Sequence, residues 1–336
     1  MKRLALLMLL SFVSFMFVAG TVPSKGVCAE PIVLNWSSIL PKNSPETVAF
    51  QEFAIDRMNE RAKGALVIKY RGGPEVIAPA NIGKAVQNGI VDIATTFVGF
   101  YEAIVRGVGA AMLTELTPQE ERTPGGAYDY LVELHKKNGL MFLGRQAPSR
   151  EDERFFYCYL NKRVEKPQDF AKLRIGAGPA ARAASLAWGA KVIPVRGVAD
   201  YYTSMERGLY DGVSSCPLIT WVALGCHEVT KYVIDQPYYQ STAMAIMNLN
   251  SWNRIPQHLQ NMMVDVMNEY PELKMEEHTK NLTKARQKAL DAGVEFYKLA
   301  PDVAGWFIKT AYEAAWDYQM KRFPDVTPGL KKVLTK

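Results

Sequence analysis

Beyond residue 30 the apolar positions alternate between the period of a strand and the period of a helix. Ile32, Val33 and Leu34 make a short apolar run, which predicts a strand over 31–36. Ser44 can cap a helix that has Pro45 at its first position, and Gly64 stops it. Phe50, Phe53, Ala54 and Met58 lie at helical spacing between them. The same alternation continues with strands over 65–70, 91–96 and 140–145 and helices over 81–88 and 127–138. A second cycle predicts strands over 154–160, 172–176, 191–195 and 212–215, with helices over 179–188, 198–207 and 218–224. A long strand-like stretch over 238–249 is a candidate crossing between lobes. Helix then dominates from Pro256, with a break expected near Pro271, a strand over 294–297 and a last long helix over 301–320.

Strand and helix in this order predict an α/β protein with two lobes of parallel sheet, hinge strands between them and a long C-terminal helix. The expected division is 30–152 plus about 241–280 for the first lobe, and 153–240 plus about 281–336 for the second. The crossings near 148–153 and at Gln240 are the expected hinge. In open α/β sheets a guest sits at the carboxyl ends of strands, so the site belongs in the cleft between lobes.

Residues 1–29 read as a segment apart from the fold. Lys2 and Arg3 precede an apolar run from Leu4 to Ala19, and Val27-Cys28-Ala29 before Glu30 fits a small-x-small cleavage site. The reading is a signal peptide and an exported, periplasmic protein. Removing it takes away Lys2, Arg3 and Lys25 and no acid, which lowers the formal net charge from +6 to +3. No basic helix remains, and nucleic acid is not an expected partner. Cys158, Cys216 and Cys226 are an odd set at irregular spacing, which reads as buried thiols rather than a disulfide framework, although one pair could form.

Catalytic and metal-binding patterns are missing from the sequence. It has no GxSxG, P-loop or HExxH, and the four His are scattered. His135 and His278 sit among charged neighbours and read as solvated. No cofactor and no metal are expected, and the protein reads as a binder, not an enzyme. Gly176-Ala177-Gly178-Pro179-Ala180-Ala181 follows a strand and opens a helix, as a dinucleotide fingerprint would, but Arg174 precedes it and the next strand ends without an acid. The segment makes better sense as an anion trap. Free N–H groups at the helix start point at the loop, and the guanidinium of Arg174 adds a planar fork for a carboxylate.

Several ordered motifs resemble those of the DctP-type solute receptors of TRAP transporters. Pro167-Gln168-Asp169-Phe170 with Lys172-Leu173-Arg174-Ile175 resembles the family's "peDLkGlKiR". The stretch from Asp200 to Gly212 resembles "EvYtALqrGvvDG", Asn88 to Ile93 resembles "nGvvDi", and Asn248 to Pro256 resembles "Nl..WnkLP". The resemblance spans nearly all of the chain beyond the leader. It implies a two-lobed receptor that closes on a small organic carboxylate, a helix bracing both lobes, and delivery to a membrane permease driven by an ion gradient. It maps the family's carboxylate-pairing Arg onto Arg174, and a second Arg less clearly onto Arg154.

Departures from the family pattern point to the ligand. Two residues are missing before Lys172, the Gln-Glu-Asn of polar members is Val213-Ser214-Ser215, and a position acidic in sugar-acid receptors holds Phe97. A polyhydroxy acid needs many polar partners, since each buried polar group left unpaired costs about 1–3 kcal/mol. The resulting expectation is an aromatic or apolar monocarboxylate, such as an aromatic 2-oxo acid or amino acid, with a C4-dicarboxylate or sugar acid as the runner-up. The expected ligand contacts are Arg174, Arg154, Phe97, Tyr101, Ser37, Glu75, Gly176, Gly178, Ser214, Ser215 and Trp221, with Glu75 receiving a ligand amine. A monomer is expected rather than a dimer.

Overall fold

The computed structural model describes residues 30–147, 155–195, 198, 200–240 and 243–336. The expected signal segment and Arg154 lie outside these residues. Residues 31–336 form one compact unit built on two sheets. In chain order the strands are β1 (Ile32–Ser38), β2 (Leu66–Gly72), β3 (Ile93–Thr96), β4 (Leu140–Arg145), β5 (Phe156–Leu160) and β6 (Arg174–Ala177). They continue with β7 (Lys191–Pro194), β8 (Gly212–Cys216), β9 (Tyr232–Tyr238), β10 (Met244–Asn248) and β11 (Glu295–Tyr297).

The first sheet has the order β2-β1-β3-β10-β4 and the second β11-β9-β5-β8-β6-β7. β1 runs parallel to β2 and β3, and β10 runs antiparallel to β3 and β4. β6, β7 and β8 are parallel to one another, whereas β5 and β9 are antiparallel pairs. The chain therefore crosses between sheets three times, after β4, after β9 and, through the long helix, after β10. The expected long strand over 238–249 is two strands in different sheets. The first two crossings are tied together where Phe155 N–H donates to the Tyr239 carbonyl (2.9 Å) and Gln146 N–H to that of Ala243 (2.8 Å).

Local chemistry explains the elements nearest the cleft. Trp36 on β1 is fully buried, with ring centroids 4.8 Å from Tyr70 on β2 and 5.3 Å from Phe50. Phe50 belongs to the helix over 45–61, whose N-cap Ser44 accepts from the Thr47 N–H as expected. Burying these rings fixes the helix start over the end of β1.

The helix Gln257–Asp291 is continuous over 35 residues, about 50 Å long. The expected break at Pro271 is absent. The residue lacks an N–H and crowds the carbonyl four residues back, yet it is buried within the helix, and tertiary packing outweighs the local cost. Two ion pairs tie it down, one in its interior and one near its C-terminus. Arg61 grips Glu269 through two hydrogen bonds of 2.8 and 2.6 Å, and Arg286 grips Asp235 on β9 at 2.9 and 2.6 Å. One helix thus braces both sheets.

The helix Pro301–Arg322 reaches residues of both parts: Phe307 stacks on Trp188 at 4.2 Å, and Gln319 Nε2 donates to Glu102 Oε1 at 3.1 Å. In the following helix Thr327–Leu334, the Leu334 carbonyl accepts from the Glu115 N–H (2.8 Å). Among the described residues no helix is long and apolar enough to cross a membrane.

Candidate functional site

One small cavity lies between the helices that follow β1 and β8 and the long helix. Its lining joins Pro45 and Glu46, which start the helix after β1, to Ile219, in the helix Leu218–Ala223 after β8. Lys274, Glu277, His278 and Asn281 of the long helix form its wall.

Ser37 and Phe97 occupy the first-lobe edge. Ser37 is the penultimate residue of β1, is fully buried, and its Oγ has no hydrogen-bond partner among the described residues. Neighbouring Ser38 is satisfied, bonded to Thr47 Oγ1 (2.7 Å) and accepting from Thr95 Oγ1 (3.2 Å). Phe97 is the first residue past β3 and is half-buried. It can still lay part of its ring against a guest.

Ser215 and Gly178 occupy the second-lobe edge. Ser215 Oγ accepts from the Gly178 N–H (3.1 Å) and shares a hydrogen bond with the Tyr201 hydroxyl (3.1 Å). Burial pushes the Tyr201 phenol well above its ordinary range, so it keeps its proton. The two hydroxyls use one hydrogen between them, which leaves the other O–H able to donate. The helix start offers less than the sequence predicts. The Gly178 N–H is taken by Ser215, and the Ala181 N–H turns back to the Gly178 carbonyl (3.1 Å). Tyr201 lies in the stretch from Asp200 to Gly212 that carries a family motif, and its phenol meets Ser215 because the helix Asp200–Glu206 folds back beside β8.

Several expected contacts are placed elsewhere. Arg174 opens β6, at the end of the strand remote from Gly178. Its Nε and Nη2 donate to Asp211 at 3.0 and 3.1 Å, and its side chain is 45% exposed. The carboxylate clamp expected of it does not fit, because a side chain at the amino edge of the sheet is committed to an acid there. Tyr101 is fully buried, with its hydroxyl 3.1 Å from His135 Nε2. Trp221 is also core, stacked on Tyr159 at 4.1 Å with its Nε1 donating to Thr230 Oγ1 (3.0 Å). Ser214 is buried against Ser185, with 2.7 Å between the Oγ atoms. Gly176 is covered by Tyr210, whose ring lies 2.8 Å from where a Cβ would sit. The Glu75 carboxylate accepts from the Gly73 N–H (2.6 Å), which lowers its pKa and leaves it serving its own loop rather than a ligand amine.

Two of the histidines also depart from expectation. His135 and His278 are buried, not solvated. The three cysteines among the described residues, Cys158, Cys216 and Cys226, are free and buried, in line with the apolar reading.

Comparison with known proteins adds a family and a set of shared folds. Residues 36–322 match the family model DctP, bacterial extracellular solute-binding protein, family 7. A TRAP periplasmic solute-binding protein from Desulfovibrio salexigens, solved with bound orotic acid, is 17% identical with a TM-score of 0.75, covering 90% of this chain and 97% of that one. One from Haemophilus influenzae RdAW with bound L-gulonate is 18% identical with a TM-score of 0.73, over 90% and 99%. An apo open structure from Marinobacter aquaeolei VT8 is 18% identical with a TM-score of 0.75, over 91% and 100%. At these identities the likeness establishes the fold.

Proposed function

This chain belongs to the DctP family of bacterial extracellular solute-binding proteins, and we propose that it is the exported receptor of a TRAP transporter, capturing a small organic acid between its lobes for a membrane permease. The observation that carries the reading is the long helix that braces two sheets, with a cavity between it and the helices that follow β1 and β8. A binder needs nothing more than such a cleft and a hinge. The relatives fit this reading, since the orotic acid and L-gulonate they hold are both small carboxylic acids.

For the ligand, the first proposal remains an aromatic or apolar monocarboxylate, resting on Phe97 at the end of β3. With Tyr101 and Trp221 in the core, Phe97 carries that proposal largely alone. Arg154, outside the described residues, is the proposed partner of the carboxylate. A second reading, a sugar acid, is favoured by the unpartnered Ser37 hydroxyl and the spare hydrogen of the Ser215–Tyr201 pair. Relatives with bound D-glucuronate and β-D-galacturonate support it.

A thermal-shift screen tests both readings. Orotate, phenylpyruvate, glucuronate, gulonate and succinate serve as probes. A ligand at a hundredfold excess over its Kd stabilises by about 2.7 kcal/mol. Stabilisation by phenylpyruvate with sugar acids inert supports the first ligand reading, and the reverse supports the second. Turnover of any probe in place of saturable binding would overturn the receptor reading.

A further inference from the structure

We propose that Tyr201 is a positioning residue that locks the Ser215 hydroxyl as a donor, so that the edge at Ser215 takes an acceptor oxygen of the guest and refuses a donor. A serine hydroxyl has one hydrogen and two lone pairs and rotates to suit its surroundings, so by itself it serves either kind of partner. Ser215 is not left that freedom. Its Oγ lies 3.1 Å from the Gly178 backbone N, which can only donate, and 3.1 Å from the Tyr201 hydroxyl.

The second contact can run in two directions, and burial chooses between them. If Ser215 donated, the Tyr201 hydrogen would need another acceptor, and among the described residues the phenol oxygen has no other partner. Tyr201 is buried, with its ring against Trp221 at a centroid distance of 5.6 Å. A hydrogen stranded there costs the full desolvation of the group. If Tyr201 donates, both lone pairs of Ser215 are filled, and the one hydrogen left over is that of Ser215. Ser215 is the only residue of β8 that is not buried, so a guest or water can take that hydrogen. The second direction therefore wins, and the raised pKa of the Tyr201 phenol keeps its proton in place to donate. Hydroxyls chained in this way polarise one another, which strengthens the outward donor. Ser215 stands near the carboxyl end of β8 and Gly178 just past that of β6, and the two strands are parallel. That is the side of an open α/β sheet where guests bind. The inference rests on the receptor reading and adds a chemical demand to it. A keto, carboxylate or sugar oxygen fits at Ser215, whereas an ammonium group would face a hydrogen.

A double-mutant cycle tests this, read by calorimetric titration with whichever of orotate, phenylpyruvate, glucuronate, gulonate and succinate stabilises the parent most. Ser215→Ala should weaken binding about fivefold. Tyr201→Phe keeps the ring but frees the serine hydroxyl to turn away, and should weaken binding about threefold. The double variant should bind no worse than Ser215→Ala, because Tyr201 acts only through Ser215. Tyr159→Phe is the control. It removes another buried phenol bond beside β8, to the Cys216 carbonyl at 3.0 Å, and should lower the urea midpoint while leaving Kd unchanged. Losses that multiply in the double variant, an unchanged Kd in Ser215→Ala, or equal losses in Tyr159→Phe and Tyr201→Phe overturn the inference and leave the receptor reading standing. A parent that binds none of the five acids overturns the receptor reading and the inference with it.

Discussion

Asp211 holds Arg174 by both of its oxygens, with Nε 3.0 Å from Oδ2 and Nη2 3.1 Å from Oδ1, and the same Oδ2 also accepts the Arg174 backbone N–H at 2.9 Å. Lys162 Nζ adds a second cation at 2.9 Å. The Arg174 pairing, with help from Lys162, holds the Asp211 carboxyl far below its ordinary range despite burial. This cluster staples the amino edge of β6 to the strand beside it. Asp211→Ala should destabilise by about 1–3 kcal/mol in urea titrations, because it strips the partner from a strand-edge N–H and two cations. Arg174→Ala should lower Tm only slightly and leave ligand affinity within about twofold, since an exposed ion pair contributes little. A Kd raised a hundredfold at unchanged Tm would return Arg174 to the ligand. The sign of the pH effect follows from the lowered pKa. The stability from Asp211 is complete above its unfolded value of about 3.9 and is lost as pH falls below that.

His135 titrates in a different window. It is fully buried, with Nδ1 2.6 Å from the Leu131 carbonyl and Nε2 3.1 Å from the Tyr101 hydroxyl. The arrangement suits a neutral ring that donates from Nδ1 and accepts at Nε2. Burial pushes its pKa down to about 4 from 6.5. The unfolded chain therefore binds the proton first, and stability falls as pH drops from about 6.5 towards 4, by on the order of 3 kcal/mol. His135→Phe should flatten the curve of unfolding free energy against pH across that window. An unchanged slope would show that the ring is not the group responsible.

The thiols give a simpler check on the core. Burial raises the pKa of Cys158, and that of Cys226 to about 12, and both thiols are shielded from solvent. A protonated, enclosed thiol is a poor nucleophile. Native protein should give no reaction at Cys158, Cys216 or Cys226 with a thiol reagent at pH 8, and full reaction in denaturant. Fast labelling of any of the three in native protein would contradict the packing described.

The elements were legible in the sequence because each has a local cause. Ser44-Pro45 starts a helix wherever it stands, and the run from Ile32 to Leu34 pairs in a sheet whatever its neighbours. The family was legible because its motifs are ordered along the chain. The site was less so. Arg174 and Tyr101 have the chemistry of ligand contacts, but whether a residue serves a guest depends on which end of a strand it occupies and what already holds it. Asp211, 37 residues away, decides the first, and His135, 34 residues away, decides the second. The path through Pro271 was hidden for the same reason, because long-range packing overrode a local signal.

That distinction between edge and core sets the last prediction. Phe97, Ser37 and Ser215 sit at strand ends with capacity to spare, whereas Trp221 and Tyr101 are enclosed. Trp221→Ala should cost about 3–5 kcal/mol of stability, since it empties a site stacked on Tyr159. Phe97→Ala and Ser215→Ala should each change stability far less, yet weaken binding of the acid found in the screen. Removing one hydrogen-bonding hydroxyl from a closed cleft typically costs about 1 kcal/mol, or about fivefold in Kd. Calorimetric titration of the two alanine variants, set beside their urea midpoints, separates the outcomes. If Phe97→Ala and Ser215→Ala lose stability without losing affinity, the guest is not held at these strand ends, and the cleft must be sought elsewhere in the fold.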